Sequence, residues 1–134
     1  DDGLSVNITR ATPVLFVDRV EATRDFFLKL GFAVMFDVPE GDKLGFVGLV
    51  KDGVQVMAET RGNGMEAPAM QALTKDSKGA VVFLEVDDLE AVIAALAGEK
   101  VFVERHETFY GADEISYLEP GGGNVVTFAK FAKQ

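Results

Sequence analysis

The chain holds one histidine, His106 in "VERHETFYGAD", and no cysteine among its 134 residues. Thiolate metal sites, disulfides and cysteine nucleophiles are excluded on that count alone. An imidazole titrates near neutrality, so His106 is a candidate acid–base group or polar ligand contact, against the plain reading of a solvated loop residue. Glu59 ends the alternating run "DGVQVMAET", residues 52–60. A carboxylate at the end of such a strand can ligate a cation or pair with a cationic molecule. Tyr110 stands between Phe109 and Gly111, where glycine permits a close-approaching loop, and Asp113 and Glu114 follow it. Chain order alone assigns no Ser-His-Asp triad, and no catalytic residue is assigned.

These residues must be held by strands and helices that the sequence repeats. "TPVLFVD" (12–18) reads as a strand, and "DRVEATRDFFLKLGF" after it as a helix. Asp18 and Glu21 have capping-box spacing, Val20, Phe26, Phe27 and Leu30 form an apolar stripe, and Gly31 suits a left-handed cap. "VVFLEVDDLEAVIAALAG" (81–98) repeats the plan, with Asp87 and Glu90 at the same spacing. "VDRVEA" (17–22) and "VDDLEA" (86–91) share four of six residues at an offset of 69, about half the chain. That period marks two duplicated modules rather than a solenoid. Each helix is followed by three hairpin-linked strands. The expected fold is α+β: two tandem βαβββ modules forming a curved mixed sheet around a central cleft. One domain, 1–134, divides into a first module at 8–60, a connector at 61–79 and a second module at 80–131. Within the connector, "MEAPAMQALT" can form a short helix, a lid over a cavity.

Composition narrows the partners. The net charge of −9 opposes nucleic-acid binding, which needs a basic face, and is compatible with a cationic ligand. No apolar run reaches the roughly 18–20 residues of a membrane span. "DDGLSVNITR" has neither the basic start nor the apolar middle of a signal peptide, so a cytoplasmic location is expected.

The duplicated plan, with "RDFFLKLGF" after a Val-Asp strand end and "YLEPGGGNVVTFAKF" near the end, resembles the vicinal oxygen chelate superfamily. That superfamily includes glyoxalase I, bleomycin-resistance proteins, fosfomycin-resistance enzymes and ring-cleaving dioxygenases, and the resemblance runs from about Thr12 to Phe131. Metal-dependent members take one ligand from the first strand and one from the last strand of each module. Carried onto this chain, those positions are Thr12, Met57, Val81 and Thr127, a poor donor set for a divalent ion. Glu59 lies one step further along the same strand face as Met57. The resemblance therefore implies no metal and no cofactor, and places this chain closest in type to metal-free bleomycin-resistance-like members.

Strand parity gives the expected lining: Thr12, Val14, Phe16, Gln55, Met57 and Glu59 from one half; Val81, Phe83, Glu85, Val125 and Thr127 from the other. Phe46, Gly48, Ile115 and Tyr117 are placed nearby on the middle strands. From these and the loop residues, the expected ligand-binding set is Phe16, Phe46, Gln55, Met57, Glu59, Phe83, Glu85, His106, Tyr110 and Tyr117. Aromatic rings with a few carboxylates suit an organic molecule with a planar or cationic part. The expected function is metal-free sequestration of such a molecule, as in antibiotic resistance, by a homodimer with no nucleic-acid or membrane partner. The alternatives are a glyoxalase- or dioxygenase-like enzyme with an atypical metal or acid–base site, and a module that binds another protein.

Overall fold

The computed structural model describes residues 6–132; the first five residues of the opening stretch and the last two of the chain lie outside it. The first module runs β1 (Val14–Val17), α1 (Val20–Lys29), β2 (Ala33–Glu40), β3 (Lys43–Lys51) and β4 (Val54–Thr60). A connector carrying α2 (Pro68–Lys75) leads to the second: β5 (Val81–Glu85), α3 (Leu89–Ala95), β6 (Val101–Glu107), β7 (Ala112–Leu118) and β8 (Val125–Phe131). Each module builds its own four-stranded mixed sheet, ordered β1-β4-β3-β2 and β5-β8-β7-β6. The first strand pairs parallel with the last and the other neighbours pair antiparallel. This is the expected α+β duplication, drawn as two sheets. None of the described helices is long and apolar enough to cross a membrane.

Alternation along the strands divides each sheet into two faces. Leu15, Val17, Val47, Leu49, Val56 and Ala58 turn toward α1 and share one buried cluster with Phe26 and Phe27. Val82, Val126, Phe128 and Tyr117 do the same beneath α3, and the cluster is continuous across both modules. The opposite, open faces of the two sheets carry neither α1 nor α3.

The α1 terminus is a Schellman arrangement: Phe32 N–H donates to Phe27 O at 3.2 Å and Gly31 N–H to Leu28 O at 3.0 Å. Gly31 takes φ +94°, the left-handed conformation that a side chain would oppose. The expected capping boxes differ from what forms. In α3 the cap is Asp88, whose Oδ1 accepts from Ala91 N–H at 3.0 Å, and not Asp87. In α1 the cap position is Arg19, which has no side chain to accept. Glu21 instead accepts from Leu44 N–H on β3 at 2.7 Å, a bond that holds its carboxyl below the usual range.

The modules are joined by the turn after β7. Gly121 O accepts from Asp18 N–H and Arg19 N–H at 3.0 and 3.1 Å. Glu119, buried, accepts from Thr23 Oγ1 on α1 at 2.7 Å and from the N–H groups of Gly121, Gly122 and Asn124 at 2.8–3.0 Å. Arg61 ties the connector in, donating to Asp18 at 3.2 Å, to Gly122 O at 3.0 Å and to Ser77 O.

Candidate functional site

The open face of the first module is built in two rows. In one, β pairing sets Glu59 between Phe16 on β1 and Phe46 on β3. In the other, Met57 lies between Val14 and Gly48. Gly48 is needed there because the Phe36 ring lies flat over it: a Cβ would stand 2.2 Å from Phe36 Cε2. Phe36 then meets Phe46 edge-on at 5.4 Å. Thr12 Oγ1 donates to Gln55 Oε1 at 3.3 Å at the far end of the same face.

Glu59 is only 2% exposed although it lies on the open face, for it sits against the connector and Glu66. Burial, a hydrogen bond and the charge of Glu66, and the charge of Glu40 push its carboxyl from 4.5 up to about 7. At neutral pH it therefore exchanges between a neutral donor and an anion, and a cation placed beside it would favour the anion.

The second module presents a different surface. Phe83 opposes Thr127, which opposes Ser116, and the two hydroxyls are 2.8 Å apart. Glu85 opposes Ala129, and Ala129 opposes Glu114. Tyr110 O–H donates to Glu114, which raises the phenol's pKa. Its ring lies 6.1 Å from Phe131, which lies 6.4 Å from Phe83. Phe83 and Tyr110 are 47% and 45% exposed, a large share for aromatic rings on one sheet face. His106 pairs with Glu114 across β6 and β7 and is exposed, its Nδ1 2.9 Å from Glu104 O.

The sequence-predicted residues thus fall into three places. Phe16, Phe46, Gln55, Met57 and Glu59 share the first open face, and Phe83, Glu85, Tyr110 and His106 the second. Glu85, at the end of β5, also borders a cavity beside α3. Tyr117, with Ile115, is in neither face. It is 2% exposed, opposes Val126 and packs edge-on against Phe128 at 6.0 Å on the helix side, where burial raises its pKa. Phe36 and Phe131 belong to the open faces and were not anticipated. Phe131 follows from period two after Thr127 and Ala129.

The four positions that hold metal in metal-dependent members do not form a donor set. Met57 is flanked by Val14 and Gly48, Val81 opposes Val125, and the Thr127 hydroxyl is engaged with Ser116. Among the described residues no three His, Cys, Asp or Glu side chains converge as ion ligands. The residues do not fit a divalent ion.

Paired βαβββ modules, each with a helix on one face of its sheet, define a duplicated α+β protein. The chain belongs to the Glyoxalase/Bleomycin resistance protein/Dioxygenase superfamily, whose profile matches residues 8–128. Among solved structures it resembles TioX from Micromonospora sp. ML1, at 14% identity and TM-score 0.75, over 92% of this chain and 99% of that one. It resembles lactoylglutathione lyase from Agrobacterium tumefaciens at 16% identity and TM-score 0.71, over 94% and 96%. A third is TnmS3, an antibiotic binding protein from Streptomyces sp. CB03234, at 19% identity and TM-score 0.69, over 96% and 100%. At these identities the likeness is one of fold. No curated protein sequence matches the chain.

Proposed function

We propose that this chain is a metal-free binding protein of the bleomycin-resistance type, which sequesters a small cationic or aromatic organic molecule on its open faces. The observation that carries the reading is the row Phe16–Glu59–Phe46: a buried carboxylate between two aromatic residues. Rings on either side can stack on a planar ligand, and the carboxylate can meet its cationic group. Gln55 and Met57 extend that wall, and Phe83, Tyr110 and His106 supply the second one. The antibiotic-binding relative TnmS3 is consistent with the reading. A homodimer, in which each open face is closed by the partner copy, completes the proposal; light scattering tests it.

A thermal-shift screen of cationic and aromatic natural products, paired with metal analysis of the purified protein, tests the function. Saturable stabilisation by members of that class, without a bound metal, is the expected result. A stoichiometric divalent ion, or no stabilisation across the class, overturns it. One observation favours a second reading, an enzyme using Glu59 as an acid–base group, because its carboxyl titrates at about 7. Turnover that survives chelation and is lost in Glu59→Gln would favour that reading over sequestration.

A further inference from the structure

The duplication sets two equivalent notches side by side, one at the start of each module's helix, and they are filled differently. The notch at α1 is occupied by the chain itself. The turn joining β7 to β8 spans six residues, 119–124. It seats so closely that a Cβ on Gly121 would stand 1.8 Å from Thr23 Oγ1, and one on Gly122 2.7 Å from Val17 Cα. The corresponding turn of the first module, between β3 and β4, has two residues, 52–53. Four residues shorter, it does not reach α3, and a cavity of about 550 Å³ remains between them.

The walls of that cavity are sorted by chemistry. Its floor is apolar: Phe32, Leu84, Val92 and Phe128. Val92 stands 69 residues beyond Thr23, so the hydroxyl that receives Glu119 in the filled notch is replaced here by methyl groups. Its rim is acidic. Lys51, also at the rim, is paired with Asp52 at 3.5 Å, and Asp88 caps α3, while Glu85 and Asp87 form no ion pair among the described residues. The volume matches that of pockets for drug-sized molecules. A neutral or anionic guest would leave the rim charges unanswered, whereas a cation with an apolar body matches both walls.

We propose that this cavity, which lies on the helix side and meets the second open face only at Glu85, is a binding site for a small organic cation with an apolar body. It does not depend on the function proposed for the open faces, and either can fail without the other. The ammonium group lies at the rim near Glu85 and Asp87, and the hydrocarbon body replaces the contacts that the longer turn makes in the other module.

The test is an amide-resolved NMR titration of the whole chain at low salt with 1-naphthylmethylammonium, 1-naphthylmethanol and 1-naphthoate, three probes of one shape and different charge. Saturable shifts from the ammonium compound at Asp52, Leu84, Asp87 and Ala91 are expected, with the alcohol weaker by about tenfold, as several partly solvated charge contacts imply. In Asp52→Asn/Glu85→Gln/Asp87→Asn that preference collapses toward equality. Ala91→Phe, which puts a ring into the cavity from α3, abolishes binding there while leaving shifts on the open faces unchanged. Equal affinity for ammonium and alcohol in the wild type overturns the proposal. So do shifts confined to Phe16, Phe46, Phe83 and Tyr110, or the absence of saturation. Should Ala91→Phe not fold, the triple variant with its isosteric amides still decides the matter.

Discussion

Replacing Glu59 by glutamine removes a buried acid whose titration falls in the neutral range. In the native state its carboxyl binds a proton up to about 7, against 4.5 ordinarily, so between those values the folded chain holds more protons than the unfolded one. Stability therefore falls as pH rises through this window: it is fully present below about 4.5 and lost by about 7. At about 1.4 kcal/mol per pH unit, the gap sets an upper bound of about 3.5 kcal/mol. Sharing of the proton with Glu66 reduces the amount assignable to Glu59 alone. Glu21 and Asp113 do not blur the measurement. Their carboxyls are lowered, by the Leu44 N–H and by Arg105 respectively, so their contributions are lost only as pH falls below the ordinary carboxylate range.

Glutamine keeps the shape and a donor toward Glu66 but has no proton to lose. Urea unfolding of both proteins between pH 5 and 8 reads the difference directly. Wild-type stability should drop across that range by about 1–3 kcal/mol, while the Glu59→Gln curve stays level, so that the variant is the more stable protein at pH 8. A wild-type profile that is flat or rising, or a variant that keeps the wild-type slope, would show that Glu59 is not a neutral-range proton site.

The remaining predictions concern the module junction and the ligand. Glu119→Ala leaves three amide donors and the Thr23 hydroxyl without their buried acceptor and should cost about 3 kcal/mol or more by urea unfolding. Gly121→Ala drives a methyl group against Thr23 and the Arg19 carbonyl, and should cost at least about 2 kcal/mol in the same assay. Gly123→Ala meets open space and should lose only the roughly 1 kcal/mol due to its φ of +72°. A cationic ligand seated by Glu59 should bind more tightly as pH rises through about 7 and release protons on binding near pH 6. Calorimetry in two buffers of different ionisation enthalpy measures that release.

The fold was legible because its signals are periodic and doubled. The stripe Val20–Phe26–Phe27 is buried as expected, and the connector helix takes up most of "MEAPAMQALT" and ends one residue past it, at Lys75. Parity placed Phe46 and Gly48 correctly because β3 meets β4 in the register its short turn dictates. It misplaced Ile115 and Tyr117 for a physical reason. The stretch "EISY" alternates polar and apolar residues, and pairing with β8 turns Glu114 and Ser116 to the open face and Ile115 and Tyr117 into the core, while burial of all four blurs the contrast between the faces. The caps fall one residue later than expected: at α3 Asp88 accepts in place of the adjacent Asp87, and at α1 the cap position is Arg19, whose amide and that of Asp18 donate to the remote Gly121 carbonyl. The burial of Glu59 was not readable either, since it arises from the connector and Glu66 rather than from its own strand.

The two halves keep one backbone plan while exchanging the chemistry of equivalent rows. In the first module the row reads Phe16, Glu59, Phe46; in the second the matching row reads Glu85, Ala129, Glu114. The acid moves from the last strand, where it is buried, to the two strands that flank it, where Glu85 is exposed and Glu114 is engaged by Tyr110. Turn length is exchanged as well, so that one helix start is closed by Glu119 and three glycines while the other faces an open cavity. A duplicated chain whose halves served only packing would have no physical reason to break both symmetries. Here each break takes a backbone position that the fold supplies twice and makes one copy structural, leaving the other accessible to solvent. The closed notch cements the modules, which frees the open notch and the two open faces from that duty. That division is why charge and aromatic side chains can gather on those surfaces without cost to the shared core.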